Sequence, residues 1–521
     1  MPVIGKLIWR GTRLGARLKK FNNPKPYIWQ KKVLKNLVET CQRTAFGKTY
    51  GFAEIKRNFS DKNTYSFYET FKKNVPIYDY SSMEKEWWHL TRRGDKNISW
   101  PGKIKNFALS SGTSEASSKY IPVSKQMIKA IRRAGVSQIL SLANYMDITP
   151  EILEKSYLMV GGSTSLQVVD DHMEGDLSGI TQKNFPIWFQ RFAKPGSEIA
   201  RETEWSEKLI KMSKKAYEWD VAFLAGVPAW IQILMERIIE EHKVDNIHQI
   251  WPNLTAYAWG GVALEPYVDG FNKLLGKPIH YIETYLASEG FMGIQVRPGG
   301  HLQLILNNGI FFEFVPFNTQ NFDVEGNILP HAQTFMIHEV NDTTEYALLI
   351  STCSGAWRYL IGDTIKFTDL ALAEFKITGR TKHYLSLCGE HISIDNLNQA
   401  VKQAATHFQI QIKEFAVAGF RNQNGLFGHQ WYIGTDATID EMALKDFIDH
   451  ALKTLNDDYA VERKHALESV ELQVLPTETF LKWMRANKKE GGQHKFPRVL
   501  RGITQKSWEE FIANDKKIME P

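Results

Sequence analysis

The chain has 521 residues, of which 43% are hydrophobic and 12% aromatic, so it can bury a large core and is expected to divide into two or more domains. Its 64 lysines and arginines stand against 58 acidic residues, and an excess of +6 on so long a chain excludes a dedicated nucleic-acid binder. Three widely spaced cysteines, Cys41, Cys353 and Cys388, predict neither a disulfide framework nor a zinc site and favour a reducing cytoplasm.

The chain begins with a basic segment, GKLIWRGTRLGARLKK. Lys6 and Arg10 interrupt any apolar region there, so a secretory signal peptide is not expected. The segment is typical of a surface helix that covers the core, and an amphipathic arm touching a membrane surface is the alternative. No run of the chain approaches the ~20 apolar residues of a membrane span, so no stable membrane insertion is expected.

The next informative stretch, FALSSGTSEASSKYIP at residues 107–122, is rich in hydroxyl and glycine positions. IKNFALS before it predicts a strand, and the sequence after it predicts a helix with Ser124 as its N-cap. A strand, a hydroxyl-rich turn and a helix present N–H groups and hydroxyls to an anion, and Lys119 adds a positive charge. The pattern predicts a phosphate site, with a solvated linker as the alternative.

Other catalytic motifs are not matched. Lys119 lies between a serine and a tyrosine, unlike the lysine of the nucleotide P-loop, and the sequence around Ser114 lacks the final glycine of a nucleophile elbow. His172 and Asp176 form the H-x-x-x-D pattern of some acyltransferases, but about one such match is expected by chance. No H-E-x-x-H occurs, so a metalloprotease is not expected.

The middle of the chain alternates strand and helix patterns. NLTAYAW predicts a strand, GGVALEPYVDGFNKLLG a glycine turn and a helix with Pro266 in its first turn, and PIHYIE a second strand. Together they predict a βαβ unit with parallel strands. Parallel sheets bind ligands at the carboxyl ends of their strands, where WGG and TYLASEG both fall.

From about Leu302 the pattern becomes β-rich, through LQLILNNGIFFEFVPF, TFMIHEV, EYALLIS and GAWRYLIGDTIKF. A glycine-arginine turn then places a domain boundary near Arg380. The expected fold class is therefore α/β. A large N-terminal α/β domain, residues 1–380, has parallel sheets and a β-rich section, and a small α+β domain follows at residues 381–521.

The chain resembles the acyl-adenylate-forming superfamily in three separated segments followed by the GR boundary. These segments are SSGTSEASSKYIP, TYLASEG and YLIGD. More narrowly, the chain resembles the plant auxin-responsive acyl-acid amido synthetases and their bacterial relatives. Its late segment GGQHKFPRV resembles the C-terminal lysine segment of that family. The resemblance covers most of the chain and implies a ligase. A carboxylic acid attacks the α-phosphate of ATP, pyrophosphate leaves, and an amine, typically an amino acid, takes the acyl group from the adenylate.

The resemblance also implies a role for each matched residue. Glu289 would hold Mg²⁺ and act in catalysis, and Asp363 would accept hydrogen bonds from the ribose hydroxyls. The backbone of Gly260 and Gly261 would pass close to adenine, and Thr284 would belong to the same nucleotide site. The β- and γ-phosphates would be held by Ser110, Ser111, Thr113, Ser114 and Lys119.

Lys495 in GGQHKFPRV would be the catalytic lysine, carried to the main site by a mobile C-terminal domain that turns about Thr381 and Lys382. Val227 and Trp230 are the candidates for the acyl pocket. Each role has a plainer alternative: a surface charge for Glu289 and Lys495, a turn residue for Asp363, a strand-end turn for the two glycines, and ordinary core packing for Val227 and Trp230.

Three positions depart from the family pattern. Ala116 stands where the phosphate loop commonly has a glycine, Leu360 where plant members have an arginine, and His391 where they have a lysine. These changes keep open a nucleotide-binding protein without turnover, and an acyl-CoA ligase that uses the same adenylation step is the second alternative. The sequence identifies neither the acid nor the amine, and the oligomeric state is unknown.

Overall fold

Three β-sheets organise the part of the chain that the computed structural model describes. This part comprises residues 25–59, 66–110, 119–145, 149, 151–185, 187–261, 264–323, 326–381, 392, 394–421, 427–456, 459–460, 463, 467–487 and 496–519. The strands of the large N-terminal part are β1 Asn106–Ser110, β2 Lys119–Pro122, β3 Ser156–Val160, β4 Gln167–Val169, β5 His172–Gly175, β6 Ala193–Lys194, β7 Val221–Gly226, β8 Ala256–Trp259, β9 His280–Ala287, β10 Gly290–Gln295, β11 Leu302–Leu304, β12 Ile310–Pro316, β13 Glu345–Thr352, β14 Tyr359–Asp369 and β15 Glu374–Arg380.

The first helices of this part precede strand β1. They are α1 Pro26–Cys41, α2 Ala45–Thr49, α3 Phe52–Asn58, α4 Ser66–Asn74, α5 Tyr80–Met83, α6 His89–Arg92, α7 Lys125–Ser141, α8 Leu177–Lys183, α9 Ile187–Gln190, α10 Ser197–Ala200, α11 Trp205–Lys215, α12 Pro228–His242 and α13 Glu265–Leu274, with a π-helical turn at Glu84–Trp88. The C-terminal part contains β16 Glu414–Arg421, β17 Phe427–Gly434, β18 Leu467–Leu475 and β19 Val499–Leu500, with α14 Ile394–Phe408, α15 Glu441–Leu455, α16 Thr477–Ala486 and α17 Gly502–Met519.

The central sheet has eleven described strands in the order β12-β13-β14-β15-β11-β10-β9-β8-β7-β3-β6. Strands β6, β3, β7, β8 and β9 pair in parallel, and from β9 to β12 all neighbours pair antiparallel. Strand β7, with the sequence VAFLAG, is an apolar run, as expected for a central strand that is covered on both faces. Strand β9, where the pairing changes, and its neighbour β10 are the strands that carry the TYLASEG motif.

The βαβ prediction is confirmed. Strand β8, helix α13 and strand β9 follow one another, and Ala256 pairs in parallel with His280. Pro266 lies in the first turn of α13, where its missing N–H costs no hydrogen bond.

The phosphate-loop region differs from the predicted strand, turn and helix. Strand β2 follows the loop before helix α7 begins, and it pairs antiparallel with β1 at the edge of a second sheet ordered β2-β1-β5-β4. The helix itself is as predicted, because the Ser124 hydroxyl accepts a hydrogen bond from the Met127 backbone N–H at 3.0 Å. The loop therefore joins two paired strands.

The β-rich section is confirmed, with one exception. The TFMIHEV segment forms no strand, and its pairing is one isolated bridge between Phe335 and Phe314 of β12. Met336 and Ile337 are buried, so the apolar pattern there reports core packing in an irregular segment.

The C-terminal part is a sheet ordered β18-β17-β16-β19 with helices on both faces. Phe415 and Val417 of β16 face a core with α14 and α15, whereas the alternating Ala416 and Ala418 face a core with α16 and α17. Among the described residues, no helix has the length and apolar character that crossing a bilayer requires.

Candidate active site

The two strands that flank the predicted phosphate loop bring its ends together. Ser110, the last residue of β1, pairs directly with Lys119, the first residue of β2. The Tyr80 hydroxyl accepts a hydrogen bond from the Tyr120 backbone N–H at 2.9 Å, and the Lys119 Nζ lies 5.4 Å from the Tyr80 ring centroid. Ser111, Thr113, Ser114 and Ala116 lie outside the described residues.

Glu289 lies in the tight turn between β9 and β10, where Ala287 pairs with Gly290. The residue is only 9% exposed, so it is not a surface charge. Burial raises the pKa of its carboxyl, while the positive charges of Lys119 and Arg380 act in the opposite direction. Burial, followed by the Glu289 charge, raises the pKa of the Tyr359 hydroxyl at the start of β14, so this hydroxyl stays protonated near the carboxylate.

Asp363 lies in the middle of β14 and is held on both carboxylate oxygens. The Tyr285 hydroxyl donates to its Oδ2 at 2.5 Å, and the Arg380 Nε lies 3.1 Å from its Oδ1. Asp363 and Arg380 are direct partners across β14 and β15, so strand register places this ion pair. The Asp363 charge is the main cause that raises the pKa of the Arg380 guanidinium.

These groups form one electrostatic cluster. The charges of Lys119, Asp363 and Arg380 all act on Glu289, although the residues come from strand β2, the β9–β10 turn and strands β14 and β15. Two cations and two carboxylates in a partly buried setting can bind a polyanion together with a metal ion, because the cations offset phosphate charge and a carboxylate can ligate the metal.

The candidate adenine turn follows β8. The Thr284 hydroxyl donates to the Trp259 carbonyl at 2.8 Å, and a Cβ on Gly260 would lie 2.3 Å from the Thr284 carbonyl oxygen. Gly261 has a φ of +84°, which a residue with a side chain rarely adopts. Both glycines are therefore required by the backbone, and this turn is fixed to β9.

The two acyl-pocket candidates differ. Trp230 is 4% exposed and packs edge-to-face against Trp205 at 5.0 Å between ring centroids, within the core of the parallel half. Val227 is partly buried where β7 ends and α12 begins. For Trp230 the core-packing alternative describes what the structure shows, and a pocket role for either residue stays a prediction.

Several predicted residues cannot be placed. Lys495, Lys382 and His391 lie outside the described residues. Sequence reasoning in turn missed Tyr285, Tyr359 and Arg380 as members of the cluster. All three stand inside the quoted TYLASEG, YLIGD and GR motifs, so their place in those motifs was the available signal.

The donor set at Glu289 fits a magnesium ion shared with a nucleotide. No group of three or more histidine, cysteine, aspartate or glutamate side chains suited to a metal occurs in the ranges that the structure describes. Mg²⁺ usually takes one or two protein carboxylates and completes its shell with substrate phosphates and water. A single buried carboxylate near Lys119, at the end of the predicted phosphate loop, meets that requirement.

Replacing Glu289 with glutamine is expected to raise the melting temperature of the nucleotide-free protein at neutral pH. The raised pKa of Glu289 means that the folded state holds this proton more tightly than the unfolded chain, so ionisation costs stability above the ordinary value of 4.5. The gain should shrink below that pH. Thermal melts at the two pH values, with the exposed Glu198→Gln as control, measure it, and an unchanged or lower melting temperature would show that the cations offset the burial cost.

Comparison with known proteins finds three family models along the chain. They are the GH3 family N-terminal domain at residues 18–165, the GH3 family central domain at 303–380 and the GH3 family C-terminal domain at 395–502. Two curated relatives are 27% identical: the indole-3-acetic acid-amido synthetase GH3.2 of Arabidopsis thaliana over 181 residues (33% of this chain and 33% of the relative), and the jasmonoyl-L-amino acid synthetase JAR6 of Nicotiana attenuata over 252 residues (45% and 42%). The matched segments thus span less than half the length of either relative.

Solved structures match over nearly the whole chain. The GH3.15 acyl acid amido synthetase superposes with a TM-score of 0.74 at 16% identity, covering 94% of this chain and 93% of that one. A 2-hydroxyisobutyryl-CoA ligase in the postadenylation state superposes with a TM-score of 0.60 at 11% identity, covering 94% and 92%. The predicted fold class is confirmed: a mixed α/β chain with a large N-terminal part and a C-terminal α+β part.

Proposed function

The chain belongs to the GH3 family, whose domain models together match more than half of it, and we propose on that premise that it is an ATP-dependent acyl-acid amido synthetase. It activates a carboxylic acid as an acyl-adenylate and transfers the acyl group to an amine, of the amino acid class. The observation that carries the proposal is the convergence of Lys119, Glu289, Asp363 and Arg380 on one cluster. The names of the two amido synthetase relatives point to the same reaction.

We assign the nucleotide contacts by position. Lys119 and the loop that begins at Ser110 bind the β- and γ-phosphates, with Ser111, Thr113 and Ser114 in that loop. Asp363 binds the ribose hydroxyls, because a carboxylate has lone pairs beyond those used by Tyr285 and Arg380. The turn at Gly260 and Gly261, fixed by Thr284, lies along adenine.

Glu289 holds Mg²⁺, which when bound offsets negative charge on the phosphates. The Tyr359 hydroxyl, which stays protonated near Glu289, is the neighbour that we assign to orienting this carboxylate. Lys495 belongs to the catalytic set as the group that meets the acid carboxylate and the α-phosphate. Val227 and Trp230, three residues apart at the start of α12, are the proposed acyl-pocket residues, and the Trp230 ring also packs in the core.

The domain assignment is part of the proposal. Residues 1–380 bind ATP and the acid, and residues 381–521 form the smaller domain that carries Lys495. Strand β15 ends at Arg380, and the Thr381 N–H donates to the Gly362 carbonyl at 2.8 Å, so Thr381, the first of the two proposed hinge residues, is itself held to β14 in this structure. A cytoplasmic location and the absence of a nucleic-acid partner stay predictions from the composition.

Two other functions remain distinguishable. An acyl-CoA ligase would share the adenylation step, and the superposition on a CoA ligase supports this alternative at the level of fold. A nucleotide-binding protein without turnover is motivated by Ala116, Leu360 and His391, which depart from the family pattern.

Pyrophosphate exchange with a panel of carboxylic acids tests the proposal. A matching acid should produce acid-dependent exchange of labelled pyrophosphate into ATP, and the loaded enzyme should then release an amide when amino acids are added. Release of product only with coenzyme A would establish the acyl-CoA ligase. ATP binding without exchange for any acid would establish the protein without turnover.

A further inference from the structure

A buried contact joins helix α13 of the large part to the C-terminal sheet. The Tyr267 hydroxyl donates a hydrogen bond to Glu414 Oε1 at 3.0 Å, and Arg498 Nη1 lies 2.5 Å from Glu414 Oε2. Tyr267 is 5% exposed, and the Glu414 and Arg498 side chains are 14% and 13% exposed. Burial, followed by the Glu414 charge, raises the pKa of Tyr267, so the hydroxyl stays protonated and donates.

Two of the three partners belong to one rigid surface. Arg498 also donates to the Phe415 carbonyl at 2.9 Å, and its guanidinium lies 4.4 Å from the Phe415 ring centroid. Residues Glu414 and Phe415 open strand β16, and Arg498 immediately precedes β19, which pairs with β16. The ion pair is thus built within the C-terminal sheet, and Tyr267 is the partner that the large part supplies.

Both sides of the contact lie close in sequence to the proposed chemistry. Tyr267 is in the first turn of α13, which follows the Gly260 and Gly261 turn, and its N–H donates to the Leu264 carbonyl at 2.8 Å. Arg498 stands three residues after Lys495. The contact therefore ties the helix behind the adenine turn to the segment that follows the proposed catalytic lysine.

We propose that Tyr267 is a positioning residue that holds the C-terminal domain against α13 in the orientation described above, and that adenylation uses this orientation, because the chain superposes over 94% of its length on a ligase in the postadenylation state. This inference rests on the proposed function. When the domain turns for acyl transfer, the Tyr267–Glu414 hydrogen bond breaks, while the Glu414–Arg498 ion pair moves with its own sheet. The hydroxyl thus favours one of the two half-reactions.

The variant Tyr267→Phe removes this hydroxyl alone. Since it donates to a charged acceptor, we expect pyrophosphate exchange to fall by about tenfold or more. Acyl transfer from a chemically prepared acyl-adenylate should stay at the wild-type rate or rise. The matched control is Tyr459→Phe, whose hydroxyl donates to Asp449 at 2.6 Å inside the C-terminal part. It should lower the melting temperature without changing the ratio of the two rates, and an equal ratio in both variants would overturn the proposal.

A distance measurement tests the contact independently of catalysis. Spin labels at Met442 on α15 and Tyr217 near α11 use side chains that are 67% and 65% exposed, in a protein whose Cys388 is replaced by serine; Cys41 and Cys353 are buried. Wild type should give one narrow distance between the labels, and Tyr267→Phe should add a second or broaden it. An unchanged distribution would remove Tyr267 from domain positioning. If wild type exchanges with no acid, the proposed function fails, whereas the label distances still decide the contact.

Discussion

Replacing Lys495 with alanine is expected to lower the rate of ATP–pyrophosphate exchange by about 10²–10³-fold, the usual cost of losing a preorganised donor to the transition state. In GGQHKFPRV the paired glycines permit a tight loop and Pro497 stiffens its exit. In the proposed mechanism the lysine ammonium meets the acid carboxylate and the α-phosphate, where negative charge is concentrated during adenylation.

The second half-reaction supplies the internal control for this variant. Amide formation from a chemically prepared acyl-adenylate should stay close to wild type, because the adenylate already contains the bond that the lysine helps to form. Lys489→Ala, which removes a nearby lysine of the same basic segment, should leave both rates unchanged. If Lys495→Ala keeps the wild-type exchange rate, Lys495 has no catalytic role and is an ordinary charged residue of the basic segment.

The chain just after Lys495 is held by buried contacts. Phe496 is 5% exposed and packs against Phe480, Trp483 and Trp508 in the core between the C-terminal sheet and helices α16 and α17. Two residues further on, Arg498 enters the buried contact with Glu414 and Tyr267. The residues that directly follow Lys495 therefore belong to the C-terminal core.

Local features of this fold could be predicted from the sequence. The Ser124 cap and the turn, proline and helix after β8 depend on residues a few positions apart, and the structure contains both. The strand predicted for the TFMIHEV segment was wrong, because strand pairing depends on residues that are distant in sequence. Its apolar residues fit a strand, but Met336 is fully buried without a continuous partner strand, and burial alone does not specify backbone pairing.

The candidate site depends on contacts that no local pattern contains. Tyr285 and Asp363 are 78 positions apart, and Asp363 meets Arg380 because the register of β14 against β15 makes them partners. A shift of one residue in that register would turn these side chains to opposite faces. The motifs therefore predict candidate residues for the chemistry, whereas the cluster of tyrosines and arginine around them emerges only from the folded sheet.

Asp363→Ala is expected to weaken ATP binding by about 1.5–3 kcal/mol, the range for hydrogen bonds to a charged group, or roughly 10- to 150-fold in the dissociation constant. The carboxylate has about four lone-pair sites, of which Tyr285 and Arg380 use one each. It can therefore still accept hydrogen bonds from the ribose hydroxyls. Alanine removes all of these at once and leaves Arg380 without its carboxylate partner.

Because that loss also affects the protein itself, two variants separate ribose binding from local structure. Tyr285→Phe keeps the carboxylate and its ion pair with Arg380 but removes the hydroxyl that fixes Oδ2, so it should weaken ATP binding less than Asp363→Ala does. Asp363→Asn keeps the shape and loses the charge, so it should fall between them. Calorimetric titration with ATP, alongside thermal melts that confirm folding, gives the order. If all three variants bind ATP as wild type does, the Tyr285–Asp363–Arg380 cluster is a structural brace between β9, β14 and β15, and the ribose lies elsewhere.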